Sequence, residues 1–272
     1  MSSGTFEDVL SGMPMSVVQR ARLGVQRAIA RGDPTMIYHY LSMNSPTYYG
    51  AELPYVHSGY YKSYPGARKV KLPPPPKVSG KDLFEVILSR RSRRRYAQLP
   101  LSPAELSALL YYSIGITGRA WWGGPKRAYP SSGALQPVEG YVSARLVEGV
   151  EPGIYHYNPA EMVLEELRRG DHSKEVMKAA IGQEHVGSAA AVIMMTVVYG
   201  RTASKYGLRG YKFAHLDAGF AGQNVYLVAE ALGLATVAIG GFYDELVCEL
   251  LDIDCEEEMP AVLFAVGRRV ER

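Results

Sequence analysis

Five arginines occupy six positions between Arg90 and Arg95, in the stretch SRRSRRRY. A guanidinium keeps its charge at neutral pH and offers a planar fork of donors that matches phosphate or carboxylate. So dense a cluster repels itself, which calls for an anion. Nucleic acid, a membrane surface, a row of carboxylates and the phosphate of a small ligand all qualify, as does plain solvation of a basic patch. A second stretch, AYPSSGALQPVEGYV (128–142), sets Pro130, Ser131, Ser132 and Gly133, then Leu135 and Gln136, ahead of a strand. Small hydroxyls and a glycine let backbone amides approach a flat ligand while polar side chains meet its edge. An ordinary polar loop is the competing reading. A third, AIGGFYDE (238–245), is a strand ending in Gly240 and Gly241, either bare backbone for a ligand or a turn into a helix.

Other chemistries find little support. No GxSxG elbow, Walker sequence or GxGxxG after a strand occurs, and the six histidines lack HxxH or HExxH spacing, so no metal site is expected. Cys248 and Cys255 fit neither a disulfide framework nor a CxxC site and read as core or incidental cysteines. Trp121 and Trp122, in WWGGPKR, read as a lid or as buried anchors.

These stretches need elements to position them. DLFEVILSRR reads as a helix running into the arginines; if it continues, Arg90 and Arg94 share a face. SPAELSALLYYSIG carries its own start signal: Ser102 as N-cap, Pro103 at the first helical position and Glu105 closing a capping box. VEGYVSARLV is a strand, and GIYHYN and MVLEELRR form a hairpin about NPAE. HSKEVMKAAIG is a helix, and the apolar run AAAVIMMTVVYG is a strand buried on both faces. In HLDAGFAGQNVYLVAEALGLA, apolar residues recur at steps of three and four, giving a helix that Gly233 stops. ATVAIGGF is a strand, DELVCELLD a helix and PAVLFAVGRR a last strand ending in Arg268 and Arg269. Strands interleaved with helices, with an antiparallel hairpin among them, predict an α+β layer structure.

The 272 residues suffice for a sizeable core, and 47% hydrophobic with 21% charged is ordinary for a globular protein. Net charge is only +3, so a broad basic face for nucleic acid is not expected. No stretch reaches the roughly 18 apolar residues of a membrane span, and the start lacks signal-peptide features, so the expected location is cytoplasmic. Residues 1–79 read as an N-terminal extension that ends in a Pro-rich linker around Pro73–Pro76; residues 80–272 read as the main domain. A tyrosine-rich part of the extension (Tyr48, Tyr49, Tyr55, Tyr60, Tyr61, Tyr64) is expected to wrap over a surface.

Together, RRSRRRY after a helix, PSSGALQPVE, KYGLRGY followed by DAGFAGQNVYLVAEALGL, then IGGFYDE and the terminal VGRR resemble the nitroreductase family of FMN-dependent oxidoreductases, and within it the SagB-type dehydrogenases. The resemblance covers about residues 80–269. It implies a nitroreductase-like fold, with a central mostly antiparallel sheet flanked by helices, in an intertwined homodimer with flavin at the subunit interface. It assigns the phosphate of FMN to Arg90, Ser92 and Arg94, with Arg91 contributing backbone and stem, and to Arg268 or Arg269. Pro130, Ser131, Ser132, Gly133, Leu135 and Gln136 would lie by the isoalloxazine, Gly240 and Gly241 near N5, and Gln183 facing the ring. SagB-type enzymes oxidise azoline rings in peptides with a Lys-Tyr pair, here Lys205 and Tyr206, where the ammonium would make the phenol more acidic as it takes a ring proton. A loop lysine and a packing tyrosine are the competing reading.

The expected partners are a second copy of the chain and a small-molecule or peptide substrate, with no nucleic acid and no membrane. Three rivals stay open: an NAD(P)H-dependent nitro or quinone reductase with NAD(P)H as electron donor, a nucleic-acid-binding module using Arg90–Arg95, and a protein that only sequesters FMN.

Overall fold

The computed structural model describes residues 15–42, 55, 57–76 and 81–270. Helices α1 (Met15–Ala30) and α2 (Pro34–Leu41) precede strand β1 (Lys69–Lys71), helix α3 (Leu83–Ser89) and strand β2 (Tyr96–Ala97). Helix α4 (Pro103–Ile114) leads into a small hairpin, β3 (Ile116–Arg119) and β4 (Pro125–Arg127). Strands β5 (Val138–Ala144), β6 (Gly153–Asn158) and β7 (Val163–Arg169) follow, then α5 (Ser173–Ala179), α6 (Glu184–Gly187) and β8 (Ala191–Val198). The last third holds α7 (Tyr199–Tyr206), α8 (Arg209–Ala231), β9 (Leu234–Ile239), α9 (Asp244–Leu251) and β10 (Glu258–Arg269).

The main sheet runs β1-β7-β6-β5-β8-β10-β2, with β9 also paired to β10, and its strand pairings are antiparallel. The apolar run of β8 lies between β5 and β10, both faces covered. On one face α4 and α8 bury Leu106, Leu109, Leu110 and Ile114 against Ala214, Ala218, Ala221, Val225 and Ala229. On the other, α5, α6 and α9 bury Val176, Ala179, Val186, Val247 and Leu251. This is the α+β architecture expected from the sequence. The capping box is present as well: the Glu105 amide donates to Ser102 Oγ, and the Ser102 amide donates to Glu105 Oε2.

Some details depart from the sequence reading. Helix α3 does not continue into the arginines: Arg90 is already extended (φ −52°, ψ 131°), so Arg90 and Arg94 share no helical face. Lys205 and Tyr206 sit on a helix, α7, where the competing reading had a loop. Cys248 and Cys255 are joined as a disulfide. The chain turns back after α9 through Asp252 in the left-handed conformation, bringing the two Cα atoms to 5.7 Å, a local reversal that a spacing of seven does not announce.

The extension adds to the domain. Its β1 joins the sheet edge at β7, and just before it Lys62 and Tyr64 dock on the sheet through buried carboxylates. Tyr48 and Tyr49 lie outside the described residues.

Candidate active site

Two clusters emerge, both organised by α8. The first is the serine loop. Asp217, fully buried on α8, accepts from Ser131 Oγ (2.9 Å), Ser132 Oγ (2.9 Å) and the Ser132 amide (3.0 Å). The Gln136 amide in turn donates to Ser131 Oγ at 2.9 Å. The hydroxyls therefore face inward and fix the loop, leaving backbone on its outer side. Burial pushes the Asp217 carboxyl up, against the serine donors that pull it down. Gly133, Ala134 and Gln136 all have positive φ (61°, 57° and 53°). Non-glycine residues held there store roughly 1–3 kcal/mol each, strain of the kind found at binding sites.

Lys205 and Tyr206 come to this loop. A Cβ built on Gly133 would stand 2.5 Å from Tyr206 Oη and 3.2 Å from Lys205 Nζ, so the pair closes on the one residue that lacks a side chain. Lys205 Nζ lies 5.4 Å from the Tyr206 ring centroid.

The second cluster is cationic. The Arg90 guanidinium stacks 4.9 Å above the ring of Tyr226 on α8, whose hydroxyl pairs with Ser92 Oγ (2.8 Å) and accepts from the Ala238 amide of β9 (2.8 Å). Arg93 (2.6 Å) and Arg269 (2.8 Å) share Glu230. Burial would raise the Glu230 carboxyl, but Arg269 and Arg93 outweigh it and hold it below the usual range. The Arg93 amide donates to Thr236 O, so the arginine segment lies along β9. From Thr236 to Gly240 is four residues, roughly 13 Å of strand. At that far end Gln183 Nε2 donates to Gly241 O (3.1 Å), bringing together two residues assigned separately from sequence. A groove of about 350 Å³ between α8 and these strands is lined by Gly219, Gly222, Tyr226, Ala238 and Phe264.

The terminal arginines part company. Arg268 turns to Glu105 and Pro100 O and serves the α4 cap, whereas Arg269 joins Arg93 on Glu230. Arg91 caps α3 through Leu88 O and Arg90 O. Arg94 is exposed, near enough to His185 for its charge, after burial, to depress the imidazole. The arginine run is thus divided among several tasks instead of forming one basic stripe.

The clusters do not meet within one chain. Asp217 and Tyr226 are nine residues apart on α8, which at 3.6 residues per turn is two and a half turns. The serine loop and the arginines therefore occupy opposite faces of one helix. Leu216 (55% exposed) and Phe220 (48%) stand outward on that helix, and Phe84 and Leu88 on α3 are further exposed apolar side chains.

The residues fit an FMN phosphate. Arg90, Arg93, Arg94 and Arg269 outnumber the single carboxylate Glu230, and buried Arg269 Nε has no partner among the described residues. Sequence reading missed Asp217, Tyr226, Glu230 and Arg93, together with Arg201 and Glu139 beneath the loop. A hint was available for Asp217, an acid in the small-residue half of a helix, but nothing in the spacing ties it to residues 131 and 132.

The nitroreductase family model matches residues 87–268. Protein MJ1384 of Methanocaldococcus jannaschii, named as a nitroreductase, is 37% identical over 72% of this chain and 96% of its own length. The Escherichia coli microcin B17-processing protein McbC is 29% identical over 53% of this chain and 55% of its own. A crystal structure from Anabaena variabilis named as a nitroreductase superposes with a TM-score of 0.69 and 28% identity, covering 86% of this chain. The present chain spans about half the length of that structure (47%) and of McbC. With a matching family model over most of the chain and the antiparallel sheet to accompany it, this protein belongs to the nitroreductase family of oxidoreductases.

Proposed function

We propose that the chain is an FMN-dependent homodimeric oxidoreductase and, more specifically, a SagB-type dehydrogenase that oxidises azoline rings in peptides. The observation that carries the finer reading is the convergence of Lys205 Nζ and Tyr206 Oη on Gly133 of the serine loop. The McbC relationship, to a protein named for processing a microcin, supports it.

In this reading Arg90, Ser92, Arg94 and Arg269 hold the phosphate, and Arg93 and Glu230 keep that segment on β9. The outer backbone of Pro130–Gln136, with Gly240, Gly241 and Gln183, flanks the ring. Bound FMN would supply the hydride acceptor for desaturation of the ring's carbon–carbon single bond. Tyr206 Oη takes the proton that leaves the azoline carbon, and the Lys205 ammonium offsets the phenolate charge. Because the phosphate and loop clusters lie on opposite faces of α8, one flavin draws on the arginines of one protomer and the serine loop of the other. The exposed Leu216 and Phe220 stripe is the surface such a pairing covers.

The test is the visible spectrum of the purified protein before and after anaerobic NADPH, followed by an azoline peptide under air. A flavin spectrum that NADPH leaves unbleached, with peptide oxidation, is the expected result. Bleaching by NADPH with nitroarene or quinone turnover replaces the dehydrogenase by the reductase to which the name of MJ1384 points. A colourless protein that takes up no FMN removes both.

A further inference from the structure

Beneath the serine loop lies an arginine that the proposed chemistry does not use. Arg201, on α7, is 1% exposed and is among the largest fully buried side chains of the protein. Burying a guanidinium is unfavourable unless its charge and donors are met. Here Nη1 donates to Gln136 O at 2.8 Å and Nη2 to Glu139 Oε1 at 2.6 Å. The first partner is the last residue of the serine loop, held in a left-handed conformation (φ 53°); the second is on β5, three residues further on. One fork thus bridges the loop and the strand that follows it.

Lys205 is four residues beyond Arg201, one helical turn along the same face of α7. Whatever fixes Arg201 therefore sets the height and rotation of Lys205 and Tyr206 over Gly133. Other contacts hold α7 against α8: Gly210 lets the two backbones close at Thr202 and Ala203, and Tyr206 packs edge-on to Phe213 with ring centroids 4.9 Å apart. Tyr55 packs edge-on to Tyr199 at its start, and Thr202 Oγ1 donates to Gly210 O at 2.9 Å. Neither reaches the serine loop.

Glu139 is itself held. Its Oε1 also accepts from the Lys62 amide (2.7 Å), and its Oε2 faces His156 Nε2 (3.2 Å), which pairs with Glu165 through Nδ1 (2.9 Å). The Tyr64 amide donates to Glu165 Oε2 at 3.0 Å. The anchor of Arg201 is therefore rooted in the sheet and tied by the segment around Lys62.

We propose that Arg201 is a positioning residue for the Lys205–Tyr206 pair, its forked hydrogen bonds to Gln136 and Glu139 setting the pair against the serine loop. This rests on the dehydrogenase reading above. Lysine at 201 keeps the charge but cannot fork to both partners, and glutamine keeps one bond without the charge.

The test is a double-mutant cycle on the full-length, flavin-loaded protein with an azoline peptide. Arg201→Gln should lower kcat roughly ten- to a hundredfold, as a misplacement of about an ångström does, with KM and flavin content near the parent values. Arg201→Lys should fall between, and serves where Arg201→Gln fails to fold. In a Lys205→Ala, Tyr206→Phe background either change should matter less than twofold, because an effect exerted through the pair vanishes with it. An undiminished effect in that background, a parent-like kcat, or flavin loss in proportion to activity overturns the proposal. If the parent protein leaves the peptide unoxidised, the dehydrogenase reading falls, and amide hydrogen exchange of the Arg201→Lys protein decides. Faster exchange confined to residues 131–137 and 199–206 keeps Arg201 as the anchor of the pair; unchanged exchange there overturns that as well.

Discussion

Gly133→Ala separates the position of the Lys-Tyr pair from the stability of the protein. The substitution has two consequences. Gly133 has φ of +61°, where an L-residue costs roughly 1–2 kcal/mol. For a chain of this size that lowers Tm by about 2–8 °C. The new methyl would also stand 2.5 Å from Tyr206 Oη, whereas ordinary contact begins near 3.4 Å. The phenol, as the free end of a side chain, moves away by about an ångström, a shift that can lower turnover a hundredfold. Gly149→Ala is the control: its φ is +68°, yet nothing lies within 4 Å of the new methyl. Both variants should lose similar Tm, and only Gly133→Ala should lose kcat, with its flavin spectrum intact. Steady-state oxidation of an azoline peptide, thermal melts and flavin absorbance measure the three quantities. Equal activity in the two variants would refute the argument that the pair is poised on this glycine.

The remaining predictions concern the cationic cluster and the buried ion network. Arg90→Ala combined with Arg94→Ala should lower FMN retention on gel filtration, whereas Arg268→Ala should keep FMN and lose Tm, since Arg268 serves Glu105 and Pro100. Stability should fall at both ends of the pH scale. Burial alone would raise the Glu139 carboxyl, but Arg201 and His156 outweigh it and hold it at about 2. Its contribution is complete above the ordinary value of 4.5 and drains as pH falls from there towards 2. For His156, burial disfavours the imidazolium, but Glu139 and Glu165 outweigh it and raise its pKa. That contribution is complete below the ordinary 6.5 and is lost as pH rises through the raised value. Melting temperature against pH should trace both limbs, and His156→Gln should flatten the alkaline one.

Local signals carried most of the architecture. The Ser102 cap, the β6–β7 hairpin, the doubly buried β8 and the stop at Gly233 all involve residues close in sequence, so propensity and pattern suffice. The end of α3 was misread because arginines favour helix, and only the bond from Arg93 to β9 and the pairing of Tyr96 and Ala97 with β10 draw the segment out. Helix α7 escaped notice for a related reason. Its buried residues are Arg201, Thr202 and Ala203, and the partner of the arginine, Glu139, lies 62 residues upstream, so hydrophobic periodicity does not mark the covered face. The buried carboxylates show the same blindness at longer range: Lys62 meets Glu258 across 196 residues. The glycine pair and the serine loop were recognised by family motif, but Asp217, which fixes that loop, belongs to no local pattern.

The division of labour along α8 has a genetic consequence. In the proposed homodimer, a chain lacking Arg90 and Arg94 still presents an intact serine loop to its neighbour, and a chain lacking Lys205 still presents intact arginines. Neither variant alone can build a working site, yet a dimer of one with the other holds one complete site and one doubly broken one. Random pairing of equal amounts makes half the dimers mixed, so two inactive alleles expressed together recover about a quarter of the parent activity. Dominance follows the same logic: a defect on either face disables one site of each mixed dimer, whichever chain carries it.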